Sequence, residues 1–149
     1  MLINRRKLRI EWGQCDPAGI VFYPQYFVMF DISTALLFER SGLTPRGMRE
    51  KYGIVGLPLV DCGAKFSAPC SFDDDVEIES GVAEWGRTSF VIRHRILKGE
   101  IVAIEGHEKR IWAAMHEDKP GPVSYTHLGS RSAGLLPAAL RLFRDADPG

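Results

Sequence analysis

Apolar and charged residues alternate along the beginning of the chain. From Lys7 to Trp12 every second residue is apolar, and the residues between them are charged. A period of two is typical of a β-strand with one face buried and the other in water. The pattern therefore predicts a half-buried strand over these residues.

A long apolar segment follows, with no glycine and no further proline between Pro24 and about Arg40. Its apolar residues fall on almost every side of a helical wheel, and a helix of that kind belongs inside a fold. Pro24 suits the first turn of a helix, and Gly42 suits its C-terminal end. We predict one long buried helix here, and a second, short helix over Pro45 to Lys51.

The following segments predict strands. They are mainly apolar or alternating, and they run over Leu57 to Phe66, Asp75 to Ala83, Thr88 to Leu97 and Ile101 to Met115. Short links at residues 85–87 and 98–100 suit hairpins between antiparallel strands. The predicted fold class is α+β, with an antiparallel five-stranded sheet wrapped around the long central helix, because that arrangement buries such a helix best.

The composition changes after Pro120. Residues 121–134 are rich in glycine, serine and proline, which predicts a loop, and residues 135–144 suit a short helix. We therefore expect one domain over residues 1–120 and a loop-rich C-terminal tail with a short helix over residues 121–149.

The overall composition narrows the classes of function. The 149 residues include nineteen basic and nineteen acidic side chains, so no global field favours nucleic acid as a partner. Three cysteines form an odd number without metal-ligand spacing, which favours a reducing cytoplasm. The four histidines also lack such spacing, so no metal is expected. No segment approaches transmembrane length, and no membrane partner is expected.

Asp16 is the first candidate for chemistry. It precedes Pro17 and Gly19 in a turn between the first predicted strand and the apolar helix. Acyl transfer needs a fixed oxygen base or nucleophile, together with an N–H donor for the developing oxyanion. An aspartate before proline is also a common turn residue that accepts hydrogen bonds from its own backbone. The local sequence leaves both interpretations open.

Three blocks of sequence resemble a known family. They read W-G-Q-C-D-P-A-G-I-V-F-Y-P-Q-Y from residue 12, G-I-V-G-L-P-L-V at 53–60 and E-W-G-R-T-S-F-V-I-R-H at 84–94. In this order, within residues 7–116, they are similar to the hotdog-fold thioesterases, and most similar to 4-hydroxybenzoyl-CoA thioesterases of the aspartate-nucleophile type. The resemblance implies the hotdog fold and hydrolysis of an acyl-CoA with an aromatic acyl group. It also implies no cofactor, since coenzyme A is part of the substrate, and a homodimer or homotetramer with a shared active site.

The resemblance also implies roles for individual residues. Asp16 would attack the thioester carbonyl or activate a water molecule, and the backbone N–H of Tyr23 would polarise that carbonyl. Asp31 matches an acid that meets the ring hydroxyl of the acyl group, although a helix acid can equally bind a neighbouring subunit or a loop. Leu57 stands near the acyl pocket, where the family would have a small hydroxyl residue, and this departure leaves the acyl group open.

The last contacts that the resemblance implies are those between the protein and the phosphates of CoA. The resemblance places Arg87, Thr88 and Ser89 against CoA. The family pattern has a run of basic residues there, whereas this chain has the single Arg87. We therefore expect a weaker phosphate clamp, or one that is completed from elsewhere by Arg93, Arg95 or Lys109; a solvated turn is the other interpretation of Arg87.

Two other functions remain open at this point. A hotdog hydratase or dehydratase would act on the β-carbon of an acyl thioester and would pair an acid with a histidine, and no histidine lies near Asp16 in the sequence. A non-catalytic acyl-CoA binding module would bind without turnover.

Overall fold

The computed structural model describes residues 1–114 and 135–146. Its strands are β1 (Ile3–Arg9), β2 (Ile54–Gly56), β3 (Leu59–Phe66), β4 (Asp75–Trp85), β5 (Ser89–Lys98), β6 (Ile101–Ile111) and β7 (Ala113–Ala114). Its helices are α1 (Pro24–Arg40), α2 (Pro45–Tyr52) and α3 (Leu135–Asp145). Five strands form one antiparallel sheet in the order β1-β4-β5-β6-β3, and β2 pairs with β7. The predicted α+β class with a five-stranded antiparallel sheet is therefore confirmed.

Local sequence signals explain where the helices begin and end. Pro24 occupies the first turn of α1, where its missing N–H has no partner to lose. The Thr44 hydroxyl caps α2 by accepting a hydrogen bond of 3.0 Å from the Gly47 N–H. Gly53 ends α2 with a φ of 66°, a left-handed conformation that favours glycine.

One face of α1 packs against the sheet. Phe30, Leu37 and Phe38 on that face are almost fully buried. Gly106 on β6 makes room for the Phe30 ring, because a Cβ atom there would lie 2.4 Å from the ring. The ring also stacks on His94 at a centroid distance of 4.5 Å. The sheet and helix are thus in direct contact along the middle of α1.

The opposite face of α1 differs from the prediction of a helix buried nearly all round. Val28, Ile32 and Leu36 on this face are 50%, 41% and 36% exposed. A single sheet can cover only one side of a helix, so a single chain leaves this apolar stripe in water. The prediction of complete burial is wrong for one copy of the chain.

The boundaries of several strands differ from the predicted ones. The first strand begins at Ile3 and ends at Arg9; its beginning was missed because polar Asn4 and Arg6 take positions on its more buried face. Trp12 follows in a short 3-10 turn and is 65% exposed. The segment predicted as one strand from Leu57 forms β3 only from Leu59 onwards, after the separate short strand β2.

The C-terminal helix α3 packs against the first part of the chain. Its Phe143 ring lies 5.1 Å from Phe38 and 5.2 Å from Trp85, measured between ring centroids. The predicted boundary at residue 120 lies outside the described residues, so the division into a domain and a tail stays a prediction.

Candidate active site

Asp16 lies at the tip of a short hairpin that leads into α1. Its N–H donates to the Ile20 carbonyl at 2.9 Å, and the Phe22 N–H donates to the Gln14 carbonyl at 2.9 Å. Asp16 Oδ1 accepts a hydrogen bond of 2.8 Å from the Ala18 N–H, as an ordinary turn aspartate does. Asp16 Oδ2 makes no hydrogen bond to residues 1–114 or 135–146. One carboxylate oxygen therefore fixes the turn, and the other is available for chemistry.

The same hairpin ends at the N-terminus of α1. Tyr23 is the N-cap of this helix, and no side chain caps the helix there. The Tyr23 N–H has no acceptor within the part of the chain that the structure describes. Unpaired N–H groups at a helix N-terminus carry partial positive charge and bind anions. Asp16 and the Tyr23 N–H thus lie on one rigid hairpin–helix unit, although no hydrogen bond joins them.

The hairpin is held in place by the loop before β4. The Val21 N–H donates to the Cys70 carbonyl, and the Phe72 N–H donates to the Gly19 carbonyl, both at 2.9 Å. Cys70 itself is fully buried, and burial raises the pKa of its thiol. These contacts fix the Asp16 turn near the beginning of β4.

A cavity of about 190 Å³ brings together the two residues that were implied to contact the acyl group. Asp31 from α1 and Leu57 from the segment before β3 both line it, and Arg110 from β6 lies between them. Most of the remaining lining is apolar: Ala35, Phe38, Leu43, Met48, Ile54 and Val55. The cavity therefore combines an apolar wall with a carboxylate at one side.

Arg110 connects the elements around this cavity. Its Nη2 donates to Asp31 Oδ1 at 2.6 Å, and its Nη1 donates to the Leu57 carbonyl at 3.0 Å. Nε and Nη2 also donate to the two oxygens of Glu108 at 3.0 and 2.9 Å. Within this chain Asp31 therefore pairs with a strand residue of the sheet, while its predicted contact with a ring hydroxyl of the acyl group, and the alternative contact with a neighbouring subunit, stay predictions.

Glu108 is the buried anchor of this network. Its side chain is 2% exposed, it accepts a hydrogen bond of 2.6 Å from the Thr34 hydroxyl, and His94 Nε2 lies 3.4 Å away. Burial alone raises the pKa of Glu108, but its contacts with His94, Arg110 and Thr34 and the charge of Arg110 lower it to about 2. Burial alone lowers the pKa of Arg110, but hydrogen bonds with Glu108 and Asp31 and the charges of these two residues raise it above its ordinary value. Both groups are therefore charged at neutral pH inside the fold.

Sequence reasoning missed Glu108 and Arg110. They lie in the stretch from Glu105 to Arg110, whose charged residues are typical of a solvent-exposed strand. The signal that could have found them is the period of two along β6, which places positions 104, 106, 108 and 110 on one buried face. Two opposite charges at alternate positions of a buried face indicate a paired network.

The proposed CoA contacts lie at a different place in the chain. Arg87 and Thr88 lie in the turn between β4 and β5 and Ser89 begins β5; the Gly86 N–H donates to the Ser89 carbonyl across this turn at 2.7 Å. Arg87 is exposed and has no ion pair among the described residues. This turn follows the end of β4, whereas the Asp16 hairpin is fixed near the beginning of β4. Within one chain the structure does not bring Arg87 and Asp16 together.

The alternative phosphate contacts lie on the sheet. Arg95 is paired with Glu79 at 3.2 Å. Arg93 and Lys109 are exposed and make no ion pair with any residue that the structure describes.

Residues 1–114 and 135–146 contain no group of three or more His, Cys, Asp or Glu residues that could hold a metal ion. They also contain no helix that is long and apolar enough to cross a membrane.

Comparisons with known proteins show the family to which the chain belongs. The family model described as the thioesterase-like superfamily matches residues 10–128. The chain is 46% identical over 89 residues to the 4-hydroxybenzoyl-CoA thioesterase of a Pseudomonas species, and this alignment covers 59% of this chain and 63% of that enzyme. It is 28% identical over 102 residues to the 1,4-dihydroxy-2-naphthoyl-CoA hydrolase of a Synechococcus species, covering 65% and 68%. The chain thus spans just under two thirds of the Pseudomonas relative in that alignment.

Solved structures extend the similarity over nearly the whole chain. An aspartate-to-asparagine mutant of 4-hydroxybenzoyl CoA thioesterase complexed with 4-hydroxybenzoyl CoA matches with a TM-score of 0.76 and 31% identity, covering 94% of this chain and 97% of that one. A gentisyl-coenzyme A thioesterase matches with a TM-score of 0.70 and 28% identity, covering 94% and 98%.

Proposed function

This chain belongs to the thioesterase-like superfamily and has the hotdog fold, and from that premise we propose that it hydrolyses the thioester of an aromatic acyl-CoA to the free acid and CoA. The observation that carries the proposal is the hairpin that presents Asp16 Oδ2 and the unpaired Tyr23 N–H at the same end of α1. A fixed carboxylate oxygen and a positive helix end are the two parts that acyl transfer needs.

Asp16 acts by one of two routes that use the same oxygen. In the first, Asp16 Oδ2 attacks the carbonyl carbon, the C–S bond breaks, CoA leaves as a thiolate and water then hydrolyses the acyl-carboxylate anhydride. In the second, Asp16 takes a proton from a water molecule, whose oxygen attacks instead. In both routes the carbonyl oxygen gains negative charge, and the Tyr23 N–H and the dipole of α1 stabilise it.

The cavity beside Asp31 has room for an acyl group with one aromatic ring; neither Asp16 nor Tyr23 of the same chain lines it, so the reacting Asp16 would come from a second copy. An apolar cavity of about 150 Å³ in another protein binds benzene, and the cavity here is about 190 Å³. Asp31 Oδ1 is occupied by Arg110, but Asp31 Oδ2 makes no hydrogen bond to the described residues and can accept one from a ring hydroxyl. The relatives named for hydroxybenzoyl, dihydroxynaphthoyl and gentisyl thioesters all act on acyl groups with such a hydroxyl.

A substrate panel tests this proposal. Release of free thiol would be measured from benzoyl-, 4-hydroxybenzoyl-, phenylacetyl- and straight-chain acyl-CoA. We expect 4-hydroxybenzoyl-CoA to be hydrolysed at least about tenfold faster than the straight-chain substrates, since one good hydrogen bond in a desolvated pocket contributes about that factor. Hydration of an enoyl-CoA without thiol release would instead indicate a hydratase. Binding of the whole panel without turnover would indicate a binding module.

We also propose that the protein is a homodimer or homotetramer in the cytoplasm. The exposed apolar stripe of Val28, Ile32 and Leu36 lies on one side of α1, and β3 is a sheet edge that, among the described residues, pairs only with β6. A second copy would cover the stripe and pair the edge. Asp16 and Arg87 lie near opposite ends of β4, which supports a site that two copies share. The free cysteines support a reducing compartment.

Sedimentation tests the oligomeric state. At micromolar concentration we expect the wild-type protein to sediment as a dimer or larger, and Ile32→Glu to shift it toward the monomer, because the substitution places a charge in the apolar stripe. Glu39→Gln, at an exposed position of the same helix, is the matched control. A monomeric wild-type protein would contradict the shared site.

A further inference from the structure

We infer that Arg110 is a positioning residue, which holds the Asp31 carboxylate and the Leu57 carbonyl at the cavity so that Asp31 Oδ2 is presented to a hydroxyl group on the acyl ring. This inference rests on the proposed function and adds a residue that determines which acyl groups the site prefers. Arg110 lies on β6, far in sequence from both residues that it holds.

Asp31 needs such a support because of where it lies. Its side chain is 68% exposed on α1, and an exposed aspartate can otherwise turn between several rotamers. The bond of 2.6 Å from Arg110 Nη2 occupies one carboxylate oxygen and restricts the rotamers that the side chain can adopt. The second oxygen is then left without a partner among the described residues, before any substrate binds.

Arg110 can impose this orientation because its own position is fixed from the buried side. Only 10% of its side chain is exposed, and Glu108 binds both Nε and Nη2 of the guanidinium group. The Leu57 carbonyl accepts from Nη1. Three hydrogen bonds to two groups, Glu108 and the Leu57 carbonyl, thus hold the planar guanidinium group, whose remaining contact is with Asp31. A lysine would keep the charge but has no fork, and it cannot make these contacts together.

The position of Arg110 predicts which kinetic quantity depends on it. The thioester carbonyl is assigned to Asp16 and Tyr23, and none of the hydrogen bonds of Arg110 is with either residue. Loss of the guanidinium group should therefore weaken the recognition of the ring hydroxyl. It should affect much less the hydrolysis of a thioester whose ring carries no hydroxyl. A merely structural role would lower the hydrolysis of both kinds of substrate in parallel.

Arg110→Lys tests the inference. We expect the ratio of kcat/KM for 4-hydroxybenzoyl-CoA to that for benzoyl-CoA to fall about tenfold, which corresponds to one charge-assisted hydrogen bond, because the loss on benzoyl-CoA should be much the smaller of the two. Arg5→Lys is the matched control, because Arg5 also lies on a strand and pairs with Glu79 at 3.0 Å, but on an exposed face. That control should keep the wild-type ratio.

A double-mutant cycle with Asp31→Asn completes the test. If Arg110 acts through Asp31, Arg110→Lys should change the ratio no further in the Asp31→Asn background. If Arg110→Lys does not fold, Arg110→Met combined with Glu108→Met removes both buried charges and should show the same loss of preference. An unchanged ratio in the folded variants, or equal losses on both substrates, would overturn the role of Arg110 alone. A wild-type protein inactive on both substrates would overturn the proposed function, and this role with it.

Discussion

The Asp16→Asn variant is expected to lose at least about a thousandfold of the wild-type kcat for hydrolysis of 4-hydroxybenzoyl-CoA. Removal of a residue that forms the covalent intermediate or activates the nucleophile has effects of this size or larger. An amide can neither attack the carbonyl carbon nor take a proton from water. The asparagine oxygen can still accept the hydrogen bond that the Ala18 N–H donates, so the turn should keep its shape.

Asp73→Asn is the matched control for this variant. Asp73 lies in an exposed turn with a φ of 74°, a left-handed conformation that asparagine adopts readily. The control removes one carboxylate close to the Asp16 hairpin, and kcat should stay near the wild-type value. Initial rates of thiol release and the thermal midpoint of each variant provide the measurement. Turnover of Asp16→Asn within about tenfold of wild type, with the fold intact, would exclude both catalytic routes.

Much of the fold could be predicted because it depends on local and periodic signals. The helix from Pro24 to Arg40 was predicted with the bounds that the structure has, since a proline begins it and a glycine follows it. The strands β4 and β5 were also predicted to within a few residues, because short links separate alternating segments, whereas the strand predicted from Ile101 to Met115 divides into β6 and β7. Boundaries failed where polar residues occupy a partly buried face, as Asn4 and Arg6 do in β1.

The candidate site could be predicted only in part, because its contacts are not local. Asp16 lies in a turn that the sequence itself encodes. The bond between Asp31 and Arg110 instead joins residues 79 positions apart, and it depends on the register of β6 and on the packing of α1. No periodicity of α1 indicates which strand residue faces Asp31. The separation of Arg87 from Asp16 likewise follows from the length of β4 and not from any motif.

The stability of the fold is expected to depend strongly on Glu108. Glu108→Leu should lower the free energy of unfolding by about 3–5 kcal/mol, because it leaves the Arg110 guanidinium buried without its main counter-charge. It also removes the acceptor of the Thr34 hydroxyl. Combining Glu108→Leu with Arg110→Met should recover most of this loss, since replacing both members of a buried pair by apolar residues is often neutral. Denaturant unfolding at pH 7 and one fixed protein concentration measures both differences.

The pH dependence of these differences in the free energy of unfolding tests whether the charge of Glu108 is their cause. The pKa of Glu108 is lowered in the folded state to about 2 from its ordinary 4.5, so its stabilising contribution is fully present above pH 4.5 and is lost as the pH falls toward 2. The free energy of unfolding of wild type, relative to that of the double variant Glu108→Leu, Arg110→Met, should therefore fall by about 3 kcal/mol across that window, so that the double variant becomes the more stable protein at low pH. A difference that stays constant between pH 5 and pH 2.5 would show that Glu108 stabilises the fold by packing and not by its charge. In that case Arg110 would lack the ionic anchor that fixes its direction toward Asp31.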